Sequence, residues 1–306
     1  MKQIITLSAI LALTACSESR KSLEGEMTFA DSVKTSNIVG GTPVSAEEDI
    51  SKTTVQIYQI HVQTDENNQI KSLGAGECTG SILANDIVLT AGHCTLTNPT
   101  LLFLYFGNDK PEVTGMEDLI KLLVSDPRAR RVTGGLVPSL WPRLDNKINK
   151  KNWGDIALLK FSGGLPAGYR PATLAKTTTG INANDVVTLA GWGLVDGVLE
   201  VKSKTLRKVN VTIHDPAFSE TEMLLATSKE KGSCHGDSGG PAYLKVQGQL
   251  QVVGVTSRAD AETDENGECI GRTVYTKTQP YLTWINNAIK TLKMQTTKTK
   301  AIPQPW

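Results

Sequence analysis

The chain has no excess of either charge. Its 32 Lys and Arg residues stand against 31 Asp and Glu, a net of +1. That balance gives no electrostatic reason to expect nucleic acid or an anionic membrane surface as a partner. No apolar run near the N-terminus is long enough to span a bilayer, since the one there extends only from Ile4 to Ala15. Cysteine and histidine never pair at zinc-finger spacing, so no metal site is expected. There is no sequence repeat. Histidine is scarce: His61, His93, His214 and His235 are the whole supply, and none lies beyond residue 235.

That last absence gives meaning to the most distinctive segment present, Gly236-Asp237-Ser238-Gly239-Gly240-Pro241. A serine in a glycine-rich turn is a candidate nucleophile, and it needs an imidazole to take its proton. The segment also fits the G-x-S-x-G elbow of α/β-hydrolases, in which the histidine follows the serine. Here none can. The imidazole must come from upstream, and His93 in Thr90-Ala91-Gly92-His93-Cys94 is the candidate. The order His, Asp, Ser then asks for an acid between them, at the start of an apolar strand. Asp155, before Ile156-Ala157-Leu158-Leu159, meets that need.

Short β-branched runs and glycine-rich turns point to an all-β chain. Val55–Val62, Ile87–Thr90, Val186–Leu189, Leu206–Ile213 and Leu250–Val255 read as strands, several alternating apolar with polar. Turn formers cluster at residues 163–171 and mark a domain boundary. Glu117–Val124 reads as a short amphipathic helix, with Arg128, Arg130 and Arg131 after it. At 306 residues the chain can hold one or two domains with real cores.

Taken together, these segments resemble the trypsin/chymotrypsin family of serine proteases over roughly residues 38–290. The resemblance is carried by Ile38-Val39-Gly40-Gly41, the His93 and Asp155 segments, Gly191-Trp192-Gly193, the Ser238 turn, Val274-Tyr275-Thr276-Lys277 and Trp284-Ile285. It implies two six-stranded antiparallel β-barrels, with the active site in the cleft between them and a C-terminal helix over about Pro280–Lys293. The implied domains are 38–165 for the first barrel and 166–294 for the second barrel plus the helix, with 295–306 a tail. It also implies a serine endopeptidase that needs no cofactor, acts on polypeptides and works as a monomer. Its triad would be His93, Asp155 and Ser238, with an oxyanion hole from the N–H groups of Gly236 and Ser238. Disulfides Cys78–Cys94 and Cys234–Cys269 are implied, each contributing about 2–4 kcal/mol.

The resemblance further implies a zymogen. A cut before Ile38 frees an α-ammonium that pairs with Asp237 and shapes the oxyanion hole. Asn37 precedes the cut where many relatives carry Arg or Lys, so a separate activating protease is expected. Gly232, Ala259 and Thr273 are the implied substrate pocket. They carry no charge and suggest small or medium apolar side chains, provided that loop lengths do not mislead the alignment. Ser257 is implied to bond Asp155. Arg258 either lines the substrate's backbone strip or points to solvent. The acidic loop after it, residues 260–268, is a solvated loop, a device favouring cations away from the scissile bond, or a salt-bridge partner for Arg258.

Lys2 and the apolar run after it form a signal segment, residues 1–15. Leu13-Thr14-Ala15-Cys16 resembles the bacterial lipobox, in which the cysteine is lipidated. An ordinary secretory signal that contains a cysteine is the alternative. Five cysteines leave Cys16 unpaired once two disulfides form. Residues 16–37 would then be anchor and propeptide. Export places the chain in an oxidising compartment: an outer-membrane lipoprotein or the periplasm, with release outside on activation. Two other functions share these residues, a non-catalytic binding module on the same scaffold and an esterase.

Overall fold

The computed structural model describes residues 38–67, 69–95, 100–139, 151–177, 179–264 and 268–294. The expected signal, Cys16, the propeptide and the tail lie outside the described residues.

Twelve strands build two closed barrels. The first six are β1 (Thr54–Thr64), β2 (Ile70–Ala84), β3 (Ile87–Thr90), β4 (Thr100–Tyr105), β5 (Ala129–Leu136) and β6 (Ala157–Phe161). They close in the order β1-β2-β3-β6-β5-β4. The next six are β7 (Val186–Gly191), β8 (Arg207–Asp215), β9 (Glu222–Leu225), β10 (Pro241–Val246), β11 (Gln249–Ala259) and β12 (Thr273–Lys277). Their order is β7-β8-β9-β12-β11-β10, with β8 paired to β7 from Arg207↔Gly191 to Thr212↔Val186 and the barrel closed by β10 on β7, Ala242↔Leu189. All neighbours within both barrels are antiparallel. The second barrel thus repeats the topology of the first, although no sequence repeat announces it.

The strands form where residue type and pleat agree. In β8, Val209, Val211 and Ile213 point inward while Lys208, Asn210 and Thr212 alternate with them toward the surface. Strand β3 differs, with all four residues buried. It lies in the cluster shared by both barrels, with Ile87, Val88 and Leu89 beside Tyr243 and Val255 of the second. A strand buried on both faces is a rigid base, and His93 follows it by three residues.

Helix α1 (Asp49–Thr53) precedes β1. Helix α2 (Met116–Ser125) matches the expected amphipathic segment and buries Leu119 and Leu123 beside Tyr58 and Tyr105. Helix α3 (Leu282–Met294) follows a short 3₁₀ turn. Its Ile285, Ala288 and Leu292 join the cluster that holds Leu158 and Phe161 of β6. The Lys160 ammonium donates to Leu292 O at 2.7 Å, placing a cation at the helix C-terminus where the dipole favours it. At the other end of the chain, Ile38 is fully buried in the second barrel's core, and Thr42–Pro43 pairs with β8. The limits 38–165 and 166–294 follow chain order, but the packing does not. Each end of the described chain is buried against the barrel built by the other half.

Candidate active site

His93 lies in the 3₁₀ turn after β3, and Asp155 just before β6. Thr90 pairs with Ala157 in the ladder between those strands, which brings the two loops together. Asp155 is 1% exposed, and three donors converge on its carboxylate. His93 Nδ1 lies 2.8 Å from Oδ2 and the His93 backbone N–H donates to Oδ1 at 2.9 Å. Ser257 Oγ donates to Oδ2 at 2.6 Å. Thr276 Oγ1 donates to the Asp155 carbonyl at 3.0 Å, tying the loop to β12. Burial opposes a charged His93, but the hydrogen bond and charge of Asp155 outweigh it and hold the imidazole pKa above its ordinary value.

Ser238 lies in the turn before β10, in the second barrel, and this turn is pinned to the first. Thr79 N of β2 donates to Ser238 O at 2.8 Å, and Thr79 Oγ1 to Gly236 O at 3.0 Å. His93 and Ser238 line one cavity of about 320 Å³, together with Gly193 and Gly236. Gly236 sits at φ 97°, a conformation that favours glycine. Among the described residues, neither the Gly236 nor the Ser238 N–H donates to a protein acceptor. Two free N–H groups beside a serine suit an oxygen that gains negative charge.

Asp237 points the other way, into the protein, and is 1% exposed. Its oxygens accept N–H groups of Gly193 at 2.8 Å and Cys234 at 2.9 Å. A Cβ on Gly191 or Gly193 would lie 2.2 or 2.4 Å from those oxygens, so both positions need glycine. Burial pushes the Asp237 carboxyl up to about 7, against the pull of the two N–H groups. The folded state therefore keeps this proton at pH values where an ordinary carboxyl near 3.8 has lost it. Between those values the folded state binds more protons, so stability falls as pH rises. The uncut chain should lose a few kcal/mol, on the order of 1.4 per unit, relative to Asp237→Asn across this window. Urea midpoints of both proteins at pH 4 and pH 8 check this. Parallel changes in the two would remove Asp237 as the cause.

The disulfides Cys78–Cys94 and Cys234–Cys269 are both present. The first joins β2 to the His93 turn. Cys78, His93 and Cys94 also crowd together in a way that could suggest a metal, but both thiols are spent in the disulfide. The second ends the acidic loop beside Ser238.

A second cavity of about 250 Å³ adjoins Ser238, and Ala259 and Thr273 line it as expected. Gly232 does not. Its α-carbon faces Thr227, whose Cβ would meet a Gly232 Cβ at 2.6 Å, and Thr227 Oγ1 bonds Thr273 Oγ1 at 2.9 Å. The expectation of an uncharged pocket also needs correction, because Asp264 lines this cavity.

Arg258 is mostly turned away from solvent, and its ion pair among the described residues is with a strand and not with the acidic loop. It pairs with Glu222 of β9, Nη1–Oε1 2.8 Å, and stacks over Trp153 at 4.2 Å. Glu222 is fully buried and also accepts the N–H groups of Asn152 (2.9 Å) and Trp153 (3.1 Å). It thereby fixes the segment leading into Asp155. Sequence reading missed Glu222. Its local setting, Ser219-Glu220-Thr221-Glu222, looks like a solvated turn.

A family model described as Trypsin matches residues 50–285, most of the chain. Among curated proteins, the chain is similar to Granzyme M of Homo sapiens, 26% identical over 227 residues, covering 69% of this chain and 79% of that one. It is similar to Chymotrypsin-like elastase family member 1 of Bos taurus, 27% identical over 269 residues, covering 82% and 89%. Venom plasminogen activator LV-PA of Lachesis muta muta is 26% identical over 224 residues, covering 69% and 77%. With two closed barrels, a histidine held by a buried aspartate and a serine in the shared cleft, this match shows that the chain belongs to the trypsin family and is a serine-type endopeptidase acting on polypeptides.

Proposed function

We propose that Ser238 is the nucleophile, His93 its general base and Asp155 the group that orients the base, in an enzyme made as an exported zymogen. Ser238 Oγ attacks the peptide carbonyl and His93 Nε2 takes its proton. The Gly236 and Ser238 N–H groups hold the oxyanion. His93 then protonates the leaving amine, and water repeats the sequence on the acyl-enzyme. The observation that carries this reading is the Asp155 carboxylate gripping His93 by ring and backbone, with the imidazole in the same cavity as Ser238.

Cleavage before Ile38 is the switch. Ile38 is fully buried, and Val39 O accepts the Gly232 N–H at 2.9 Å, so the segment is docked against the chain that leads toward the Asp237 turn. Ile38 is also β-branched yet held at φ 34°, a strain of about 1–3 kcal/mol. A cut breaks the Asn37–Ile38 peptide bond and so removes the carbonyl carbon that defines that angle. The freed α-ammonium supplies the cation that buried Asp237 lacks among the described residues. Cys16 is the cysteine left over from the two disulfides, which supports a lipid anchor through it, in an outer membrane or periplasm, shed with residues 16–37 on activation.

A fluorophosphonate probe tests the reading. Ser238 should be labelled in the chain cut before Ile38 and not in the uncut chain. Equal labelling of both forms would remove the switch. No labelling in either form would favour a binding module.

A further inference from the structure

We propose that Asp264 sets the side-chain preference of this enzyme, as the counter-ion for a lysine or arginine on the acyl side of the scissile bond. The proposal rests on the reading of Ser238 as nucleophile. It replaces the apolar preference expected from Gly232, Ala259 and Thr273.

Asp264 belongs to the acidic loop between β11 and β12, whose described acids differ in fate. Asp260 is buried and pairs with Arg272 at 3.2 Å. Glu262 stands in solvent with its side chain 87% exposed. Asp264 is 4% exposed and lines the cavity beside Ser238. It is the one carboxylate among the described lining residues. Its Oδ1 accepts the Glu268 N–H at 2.8 Å. Among the described residues no cation pairs with it, and Oδ2 makes no hydrogen bond.

The lining cation, Arg258, does not cancel this charge. Both of its terminal nitrogens engage Glu222, at 2.8 and 3.2 Å, and a fully buried glutamate neutralises it locally. What remains in the cavity is one net negative charge, largely withdrawn from water. A cation entering there regains the attraction that burial without a partner forgoes.

The loop is built to hold Asp264 in place. Asp264 N and Thr263 N both donate to Asp260 O at 2.9 Å. Asp260 N donates to Arg272 O at 2.8 Å, and Arg272 N to Thr263 Oγ1 at 2.8 Å. The loop lies so close to the strand leading into β12 that a Cβ on Gly271 would fall 2.3 Å from Thr263 O. The Cys234–Cys269 disulfide staples the far end. A carboxylate fixed by so many main-chain bonds loses little entropy when it binds.

An enzyme with this preference cannot cut between Asn37 and Ile38 itself, which fits a separate activating protease.

The test compares matched peptides with Arg, Lys, Ala or Leu before the scissile bond, using chain cut before Ile38. The kcat/KM for Arg or Lys should exceed that for Ala by roughly 10²-fold or more. In Asp264→Asn that ratio should collapse to within about tenfold, while Glu262→Gln keeps it. An unchanged ratio in Asp264→Asn, or a wild-type preference for Ala or Leu, overturns the proposal. A measurement needing no variant is protection of Ser238 from a fluorophosphonate by benzamidine against neutral benzamide. Benzamidine should protect at least about tenfold better; equal protection also overturns the proposal. If Ser238 is labelled but shows no cation preference, only the Asp264 assignment falls. If Ser238 is never labelled, the nucleophile reading falls and takes this one with it.

Discussion

Ser238→Ala lowers kcat of the cut enzyme by about 10⁶-fold and leaves its melting temperature unchanged within error. On the proposed reading the loss is large because the hydroxyl is the attacking atom, and no other hydroxyl or thiol among the described residues lining the cavity with His93 is free to replace it. The fold is spared because the turn is held through its main chain. Ser238 O accepts Thr79 N–H at 2.8 Å, and Gly239 N donates to Thr256 O at 2.9 Å. Neither bond uses the side chain. Residual catalysis comes from what the variant keeps, the two free N–H donors and the bound substrate's orientation. Steady-state kinetics on a peptide substrate, with thermal melts as control, measure both halves. A variant retaining more than about one part in 10³ of kcat would mean that another group attacks.

Asp155→Asn costs about 10⁴ in kcat with a smaller change in KM. Three donors now meet a carboxylate that can accept all of them: His93 Nδ1, His93 N and Ser257 Oγ. An amide offers one oxygen and one NH₂, so on one side donor faces donor. If NH₂ faces Nδ1, the ring carries its proton on Nε2 and cannot accept from Ser238. If it faces the His93 backbone N–H, the turn holding the ring loses its anchor. The acid limb of the pH–rate profile should also move. Asp155 holds the His93 pKa up against burial, so its loss lets that pKa fall and extends the limb to lower pH. A loss under tenfold, or a limb that shifts upward, would deny Asp155 this role.

Much of the fold was legible because local residue choice agrees with the pleat. Val55–Val62 lies within β1, Ile87–Thr90 coincides with β3, and Val186–Leu189 opens β7. Helix α2 extends the expected segment by one residue at each end. The repeated barrel order was not legible. Strand pairing depends on which surfaces meet, and the two halves reach one topology with different residues. Of the site, the His93, Asp155 and Ser238 segments stood out because their chemistry demands short, unusual strings. Glu222 and Asp264 did not, because an acid in a polar stretch reads the same whether it faces water or the core. Glu222 differs from Glu220 through partners distant in sequence, Asn152, Trp153 and Arg258, the last of which comes 36 residues later. Asp264 differs from Glu262 only in the direction imposed by the turn bonds to Asp260.

The crossed ends of the chain bear on how the protein is made. Ile285, Ala288 and Leu292 of α3 complete a cluster whose other members include first-barrel residues from Val55 to Phe161. A ribosome therefore releases every strand of that barrel long before the piece that covers it. The first barrel emerges with an open apolar face, and neither half of the gene encodes a unit that can finish its own core. Export as an unfolded thread suits such a chain, because folding completes only after the last helix has been delivered.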